Sequence, residues 1–552
     1  RMTSGEATPP PSTGSTAKRG GWNTVPFIIA TMAALTLSAG GWMSNLIVLL
    51  VQEFHIKSID AAQISNVVYG CIFFFPVVGA VLADSFLGCF SVIWISSLIS
   101  LMGLILLVLS VTVNGLKPAH CLNNGTNLCA TPSKIQYGVL YAALALATIG
   151  VGGTRFTIST MGANQFANPK HQATYFNWYF ITMYVASVIS STGIVYVEDN
   201  VSWSWGFGIC IVTGLLGLVI FLAGSRYYCL DKPQGSPFTG PARVVIASFR
   251  KRNEGIPDHN ADYYYGDDIG VVVKGMVVAE LPSNSLRFLN RAAKIAEGDI
   301  LPNGSIAKPW KLCSVQQVED LKSLIKILPL WSSSILLSTP IGIQGSLSIL
   351  QALAMDRHLT RGFQIPAGSM MVFTLIATSI CLGLLEYVIW PTWKKIIGHN
   401  PTSLQQIGIG HVFNVASMAV SALVESKRRA TTSSPISVLW LVPQLVIVGV
   451  GEAFHFPGQV GFYYVEFPAS LKSMATAMIA LLVGIAFYLS SVVIDVVRRG
   501  TNWLPNNIDD GRLDNVYWVL VVIGGLNFGY YLLCSWWYKC KTDGVQEKGL
   551  EE

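Results

Sequence analysis

Twelve long apolar stretches constrain this 552-residue chain more than any other feature of its sequence. A helix of about 20 mainly apolar residues crosses the roughly 30 Å hydrocarbon core of a bilayer. Charged residues make up only 12% of the chain, whereas soluble globular proteins carry about 25%. So little charge cannot cover a water-facing surface of this size. We therefore exclude soluble enzymes, disordered scaffolds and nucleic-acid-binding proteins.

The stretches form two equal sets on either side of a polar central segment. They lie near 27–51, 63–83, 90–113, 137–160, 174–197, 204–224, 322–350, 368–391, 404–424, 435–457, 474–497 and 515–538. Backbone groups in lipid must hydrogen-bond within their own segment, so each stretch is predicted to be a helix. We expect an all-α membrane protein with the major facilitator fold, in which 12 transmembrane helices form two six-helix bundles. In such carriers the substrate site lies between the halves near mid-membrane, and access alternates by rocking.

Basic residues predict the orientation. The central segment holds 12 of the 36 Lys and Arg residues, and basic residues near membrane helices collect on the cytoplasmic side. Lys18 and Arg19 before the first stretch agree with this, as do Lys539 and Lys541 after the last. The expected regions are a disordered cytoplasmic tail (1–26), a first bundle (27–224), a cytoplasmic linker (225–320), a second bundle (321–538) and a cytoplasmic C-terminal tail (539–552).

The linker is predicted to contain an amphipathic helix from Thr239 to Arg252. Pro241 suits a first helical turn, and the basic run at the end favours the negative end of the helix dipole and anionic headgroups. The apolar side is supplied by Val244, Val245, Ile246 and Phe249. We expect this helix to lie along the cytoplasmic membrane face and to brace the two halves.

The loop between the third and fourth stretches falls on the extracellular side in this topology. It holds Cys121 and Cys129, for which a disulfide suits the compartment, and Asn124, which begins a glycosylation sequon. Two free thiols and an unused sequon are the alternative.

The other cysteines lack metal-ligand spacing, and we expect neither a metal nor a cofactor. GxSxG, P-loop and HExxH motifs are absent from the sequence, so we do not expect an enzyme.

Charged residues inside the predicted spans are informative, because a charge in lipid is expensive and usually functional. Of the charged residues in these stretches, Arg155, Lys326 and Glu452 stand out. Each also has a purely structural interpretation. Arg155 could form an ion pair between helices, and the Lys326 side chain could reach the membrane interface. Glu452 could form a simple hydrogen-bonded pair with His455, which lies one turn further on. The glycines from Gly150 to Gly153 indicate close helix packing rather than a phosphate site.

Several motifs resemble those of the plant nitrate/peptide transporter family, of the proton-dependent oligopeptide transporter type. They run in order from the second span to the eleventh: Gly79-Ala80-Val81-Leu82-Ala83-Asp84-Ser85-Phe86-Leu87-Gly88, Gly152-Gly153-Thr154-Arg155, Gly162-Ala163-Asn164-Gln165-Phe166, Tyr175-Phe176-Asn177-Trp178-Tyr179, Lys326-Ile327-Leu328-Pro329-Leu330-Trp331, Gly449-Val450-Gly451-Glu452-Ala453-Phe454, Gly458-Gln459 and Leu471-Lys472-Ser473. The resemblance implies a transporter. It also implies substrate-binding candidates, namely Arg155, Glu452, Asn177, Tyr179, Trp331, Gln344 and Asn45.

The first span departs from the family pattern. Proton-coupled members carry Glu-x-x-Glu-Arg there, and in this chain the matching positions are Met32, Leu35 and Thr36. None of these can bind and release a proton. Coupling has therefore either moved, with Glu452, His455 and Lys326 as candidates, or been lost. Ala39 and Gly40 replace an aromatic pair, and with Gly41 they are expected to leave room in the pocket.

A second departure is Arg155, where most of the family has Lys. Arg remains charged when desolvated and grips planar oxyanions with two parallel donors. The resemblance is to the nitrate-excretion-type subgroup, whose members move nitrate or chloride, mostly outward. The histidine of one type of nitrate importer aligns with Ile341, so that mode of nitrate binding is absent. The alternatives are a carrier of a larger organic solute, such as a glycosylated metabolite or a hormone, and a non-transporting sensor.

The expected partners are an anion or other small molecule and the lipid bilayer, with no nucleic acid. We expect a monomer, with a dimer as the alternative. The plasma membrane is the expected location of this multi-pass protein, with the vacuolar membrane as the alternative.

Overall fold

The computed structural model describes residues 20–118, 132–166, 168–230, 235, 238–255, 262–265, 272–273, 276–277, 282–301, 306–431, 435–468 and 472–538. In the first half of the chain the helices are α1 (Val25–Ser44), α2 (Leu46–Gln52), α3 (Ser58–Leu82), α4 (Gly88–Thr112), α5 (Lys134–Arg155), α6 (Thr157–Ala163), α7 (Pro169–Ile189), α8 (Val195–Asn200) and α9 (Trp203–Ala223). The linker contains α10 (Thr239–Arg250). The second half contains α11 (Val315–Leu353), α12 (Val372–Leu384), α13 (Trp390–Ile397), α14 (Ser403–Ala430), α15 (Val442–Glu466), α16 (Lys472–Gly500) and α17 (Leu513–Trp537).

Two short hairpins complete the regular structure. β1 (Val272–Val273) pairs antiparallel with β2 (Met276–Val277). β3 (His358–Thr360) pairs antiparallel with β4 (Phe363–Gln364) in the connection between α11 and α12.

The described helices account for all 12 predicted spans. Among the described residues, eleven continuous helical segments are long and apolar enough to cross a membrane. One of them, Ser58–Thr112, is 55 residues long. It consists of α3, a π turn over Ala83–Leu87 and α4, which begins at Gly88. Gly88 has φ of 74°, a left-handed conformation that glycine adopts without steric cost. The chain reverses there, so this segment forms two spans, and the predicted fold class is confirmed.

Other spans are built from two helices in succession. In the fourth span α5 ends at Arg155 and α6 begins at Thr157. In the fifth span a π turn over Ser190–Ile194 joins α7 to α8. Such interruptions inside a span often mark functional sites, because they release backbone groups from the regular helical pattern.

The two halves are joined by polar contacts at the end of the bundle remote from the linker, which we call the outer end. Arg357 pairs with Asp199 at 3.3 Å, and Arg498 forms an ion pair with Asp60. Gln63 bonds to the Ser491 carbonyl at 3.3 Å. Gly368, at the start of the eighth span, lies so close to the first span that an added Cβ would come within 2.7 Å of the Ser44 carbonyl oxygen.

The linker forms a small core of its own around α10. Val244 and Ala247 of α10 are fully buried and pack with Leu289 and Cys313 of the segments that follow. The residues expected to form the apolar side of this helix do not all face the linker core, because Val245 and Phe249 are exposed.

Candidate functional site

Arg155 is the last residue of α5, at the break between the two helices of the fourth span. Its side chain is half-buried, and its guanidinium carbon lies 4.6 Å from the centroid of the Phe73 ring of α3. Within the described part of the chain, no carboxylate lies within 4.0 Å of this guanidinium. A cation over an aromatic face recovers part of its lost solvation, so Phe73 stabilises a charge that has no acidic partner among the described residues.

Two tyrosines lie within electrostatic range of Arg155: Tyr69 and Tyr179. The hydroxyl of Tyr179 donates to the backbone carbonyl of Arg155 at 3.2 Å. Carbonyls at a helix end have no partner in their own helix, so Tyr179 satisfies one that the break after α5 leaves open. Tyr69 donates to the carbonyl of Met43 at 3.3 Å, which fixes its ring beside the first span.

The aromatic rings beside Arg155 reach the second half of the protein. Phe73 stacks on Phe487 of α16 with centroids 5.9 Å apart, and Tyr69 stacks on the same ring at 5.3 Å. Arg155 therefore lies next to the seam between the halves, where a major facilitator carrier holds its substrate.

The first span presents an apolar surface to this region. Met32 is buried and belongs to the same packed cluster as Tyr179, against which Leu35 also packs. Thr36 lies with its hydroxyl 3.5 Å from the sulfur of Met32. At the three positions matched above to the Glu-x-x-Glu-Arg motif, this chain has a thioether, an alkyl chain and a hydroxyl that pack together.

Glu452 of α15 is half-buried and faces the other half of the protein. Its carboxylate lies near the Thr378 hydroxyl on α12, which donates to the Gly449 carbonyl at 3.0 Å. It is also within electrostatic range of Tyr184, which belongs to α7 of the first half. A carboxylate on the second half and a guanidinium on the first thus lie near the seam without forming an ion pair.

His455 does not form a hydrogen-bonded pair with Glu452, which removes that structural interpretation. It is 4% exposed, and neither ring nitrogen has a hydrogen-bond partner among the described residues. Its Cβ lies against Gly410 of α14, and His411 is within electrostatic range. The reason is packing: His455 faces α14, whereas Glu452 faces α12 and α7.

Two other candidates, Gln344 and Trp331, already make hydrogen bonds inside the second bundle. The Gln344 amide is 1% exposed and donates to the hydroxyls of Ser417 and Ser421, both at 2.8 Å. Trp331 donates from its indole nitrogen to the Met478 carbonyl at 3.1 Å, which ties α11 to α16.

Asn45 is fully buried at the outer end. Its amide nitrogen lies 3.1 Å from a carboxylate oxygen of Glu198 and 3.3 Å from one of Asp199. Since Asp199 also pairs with Arg357, Asn45 belongs to the contacts that close the outer end.

The remaining candidates are exposed or undescribed. Asn177 and Lys326 have exposed side chains, on α7 and α11 respectively. The structure therefore brings Arg155 and Tyr179 together, places Glu452 across the seam, and leaves these two outside the cluster. Cys121, Cys129 and Asn124 lie outside the described residues.

Sequence reasoning missed Tyr69, Phe73 and Tyr184. Tyr69 and Phe73 are four residues apart in α3, a spacing that places them on one helix face. That spacing was the available signal, but aromatic residues inside an apolar stretch are more often core than site.

The glycines serve close packing. An added Cβ at Gly153 would lie 2.2 Å from the Ser96 hydroxyl, and one at Gly150 would lie 2.4 Å from the Ser100 nitrogen. This confirms the packing role expected for this cluster. Gly40 and Gly41 also pack closely, against Ser190 and against Cys210 with Ile194. The expectation that these two positions would leave room in the pocket is therefore wrong.

Comparisons with known proteins agree with this architecture. A model of the POT family matches residues 90–510. Protein NRT1/ PTR FAMILY 2.5 of Arabidopsis thaliana is 49% identical over 529 residues, which cover 95% of this chain and 94% of that protein. Protein NRT1/ PTR FAMILY 2.7 of the same plant is 48% identical, with 98% and 96% covered.

Solved structures show the same fold. The crystal structure of an auto inhibited POT family peptide transporter superposes with a TM-score of 0.69 at 16% identity, covering 94% of this chain and 97% of that chain. The POT family transporter PepTSo gives 0.66 at 17% identity, with 93% and 99% covered. Together with the multi-pass helical architecture, these matches show that the chain belongs to the POT family of membrane transporters, among the NRT1/PTR proteins.

Proposed function

We propose that the protein carries small anions, nitrate or chloride, by alternating access, as a nitrate-excretion-type carrier. Transport is efflux or facilitated movement driven by the anion gradient and the membrane potential, without obligatory proton coupling. The observation that supports this most directly is Arg155, a half-buried guanidinium over Phe73 with no carboxylate within 4.0 Å in the described chain.

A bound anion supplies the negative charge that the Arg155 site lacks. An unpaired charge out of water costs several kcal/mol unless something compensates it, and the Phe73 ring recovers only part of that cost. A planar oxyanion can accept two parallel hydrogen bonds from one guanidinium. Chloride can balance the charge of Arg155, but it does not use the two parallel N–H donors of the guanidinium.

The first span supports the absence of obligatory proton coupling. Met32, Leu35 and Thr36 pack against one another and against the tyrosine cluster beside Arg155. A carrier that couples transport to protons needs a side chain there that binds and releases a proton, and these three side chains cannot do so. Of the substitute candidates, Glu452 alone faces the seam, since His455 is buried toward α14 and Lys326 is exposed.

Glu452 fits the role of a counter-charge across the seam. It faces Tyr184 of the first half while Arg155 belongs to that half, so rocking of the halves changes the distance between the two charges. When an anion occupies the Arg155 site, it repels the carboxylate, and when the anion leaves, the attraction returns. We place the carrier in the plasma membrane as a monomer.

The experiment is anion flux in proteoliposomes that contain the purified protein. We expect nitrate and chloride uptake to follow an imposed potassium diffusion potential, positive inside, and to compete with each other. Uptake of a bulky glycoside that is blocked weakly by nitrate would instead favour the organic-solute carrier. Ligand binding without flux of any solute would favour the sensor.

A further inference from the structure

A long groove runs along the lipid-facing side of the first half, between α3 and α5. Its volume is about 530 Å³. On α3 it extends from Asp60 to Phe75, and on α5 from Tyr141 to Ile149. At 1.5 Å per residue the α3 wall is about 22 Å long, which is most of a hydrocarbon core of roughly 30 Å.

The walls are apolar and open to lipid. Val67 is 43% exposed and Ile149 is 37% exposed, whereas Val68 and Leu144 are buried behind them. Ala145 and Thr148 are small residues that also line the groove. A rigid, flat apolar body fits such a surface because it loses little conformational freedom on binding.

The outer end of the groove is polar. It is lined by the carboxylate of Asp60, the amide of Gln63 and the phenol of Tyr141. The charge of Asp60 is already balanced by Arg498 of the second half. Because that pair leaves this end of the groove without net charge, it suits a neutral hydroxyl, which can bond to the Tyr141 phenol, better than a charged phosphate.

We propose that this groove is a sterol-binding site. The ring body lies between α3 and α5, and the single hydroxyl lies beside Asp60, Gln63 and Tyr141. The volume falls within the range of about 300–1,000 Å³ typical of small-molecule pockets.

The site also borders the contacts that hold the halves together. Gln63 and Ser491 exchange two hydrogen bonds, at 3.3 and 3.2 Å. Deeper in the groove, the sulfur of Cys71 lies 3.0 Å from the Tyr488 hydroxyl of α16. Gln63 and Cys71 therefore belong both to the groove and to the contacts between α3 and α16.

The test is photolabelling of the purified protein in lipid nanodiscs by a photoreactive sterol, with labelled peptides mapped by mass spectrometry. We expect label on the α3 and α5 peptides, competed by unlabelled sterol and not by added phosphatidylcholine. Ile149→Trp should reduce this labelling about tenfold, because an indole occupies the groove. The matched control is Ile105→Trp, at a lipid-exposed isoleucine of α4 outside the groove.

Tyr141→Phe provides a second variant that keeps the shape of the groove. Loss of one hydrogen bond to the sterol hydroxyl should weaken labelling about fivefold, with the elution profile of the protein unchanged. Equal labelling of the Ile149→Trp and Ile105→Trp proteins would overturn the proposal, as would full competition by phosphatidylcholine, which would show an ordinary acyl chain in the groove.

Discussion

The guanidinium of Arg155 lies 4.6 Å from the centre of the Phe73 ring, and the same ring stacks on Phe487 of the opposite half. One aromatic side chain thus connects the charge of the first half to the surface of the second. This arrangement holds Arg155 beside the seam, and it leaves the cation without an acidic partner among the described residues.

Transport is expected to proceed without a pH gradient. Met32, Leu35 and Thr36 cannot titrate, so at a fixed membrane potential the initial rates of nitrate uptake should be nearly equal with and without an imposed pH gradient. The measurement is uptake into proteoliposomes whose potential is clamped with potassium and valinomycin. Concentrative uptake driven by a pH gradient alone would contradict this, and loss of that uptake in Glu452→Gln would then identify the proton site.

The outer end is expected to open when Gly368 is enlarged. An added Cβ would come within 2.7 Å of both the Asn45 side chain and the Ser44 carbonyl, and overpacking of this kind typically costs about 1–3 kcal/mol. Gly368→Ala should therefore raise the rate at which a cysteine introduced at Ser44 reacts with a maleimide added from outside. Gly383→Ala is the matched control, because nothing lies within 4 Å of its added Cβ; equal rates in the two backgrounds would contradict the assignment of this contact.

The ion pair between Asp199 and Arg357 is expected to hold the two halves together. Its side chains are 10% and 15% exposed, so water screens it less than an ordinary surface pair. In a double-mutant cycle with Asp199→Ala and Arg357→Ala, thermal unfolding should give a coupling free energy of about 1 kcal/mol. Additive effects of the two substitutions would show that the pair contributes nothing to closure.

The linker core is expected to protect Cys313. Burial raises the pKa of this thiol to about 11, and only the thiolate reacts rapidly. At pH 8 Cys313 should therefore react with iodoacetamide far more slowly than the exposed Cys229. A raised thiol pKa favours the folded linker only while the thiol is protonated. This contribution is complete below the unfolded pKa of about 8.5 and is lost as the pH rises toward about 11.

Breaking the buried ion pair of the linker should expose the Cys313 thiol. Lys251 and Asp299 are 2.8 Å apart, and each is 4% exposed. Lys251→Met leaves a buried carboxylate unpaired, at a cost of about 3–5 kcal/mol, and should bring the Cys313 rate close to that of Cys229. Lys294→Met is the control, because its pair with Glu254 is more exposed. A slow Cys313 in both variants would contradict the role given to this pair.

The membrane spans could be predicted because lipid imposes a simple rule. Each apolar stretch must form a helix that satisfies its own backbone, so the spans and their number follow from the sequence. The packing role of Gly153 was equally accessible, since glycine in an apolar helix has few other uses.

The site could be predicted only in part. Arg155 and Glu452 stand out as charges in apolar surroundings, whereas Tyr69 and Phe73 do not differ from core residues in any local pattern. Gln344 was expected to bind substrate, but it bonds to Ser417 and Ser421. That contact depends on how α11 and α14 are aligned along each other, which no local pattern records.

The most direct test of the anion site compares nitrate and chloride flux in Arg155→Ala and Arg155→Lys, with Arg226→Ala as an exposed control. Two charge-assisted hydrogen bonds contribute about 3 kcal/mol, so Arg155→Ala should lose about 100-fold in flux while remaining monodisperse. Arg155→Lys keeps the charge but loses the two parallel donors of the planar guanidinium, so it should reduce nitrate flux more than chloride flux. Wild-type anion flux in a well-folded Arg155→Ala protein would contradict the account.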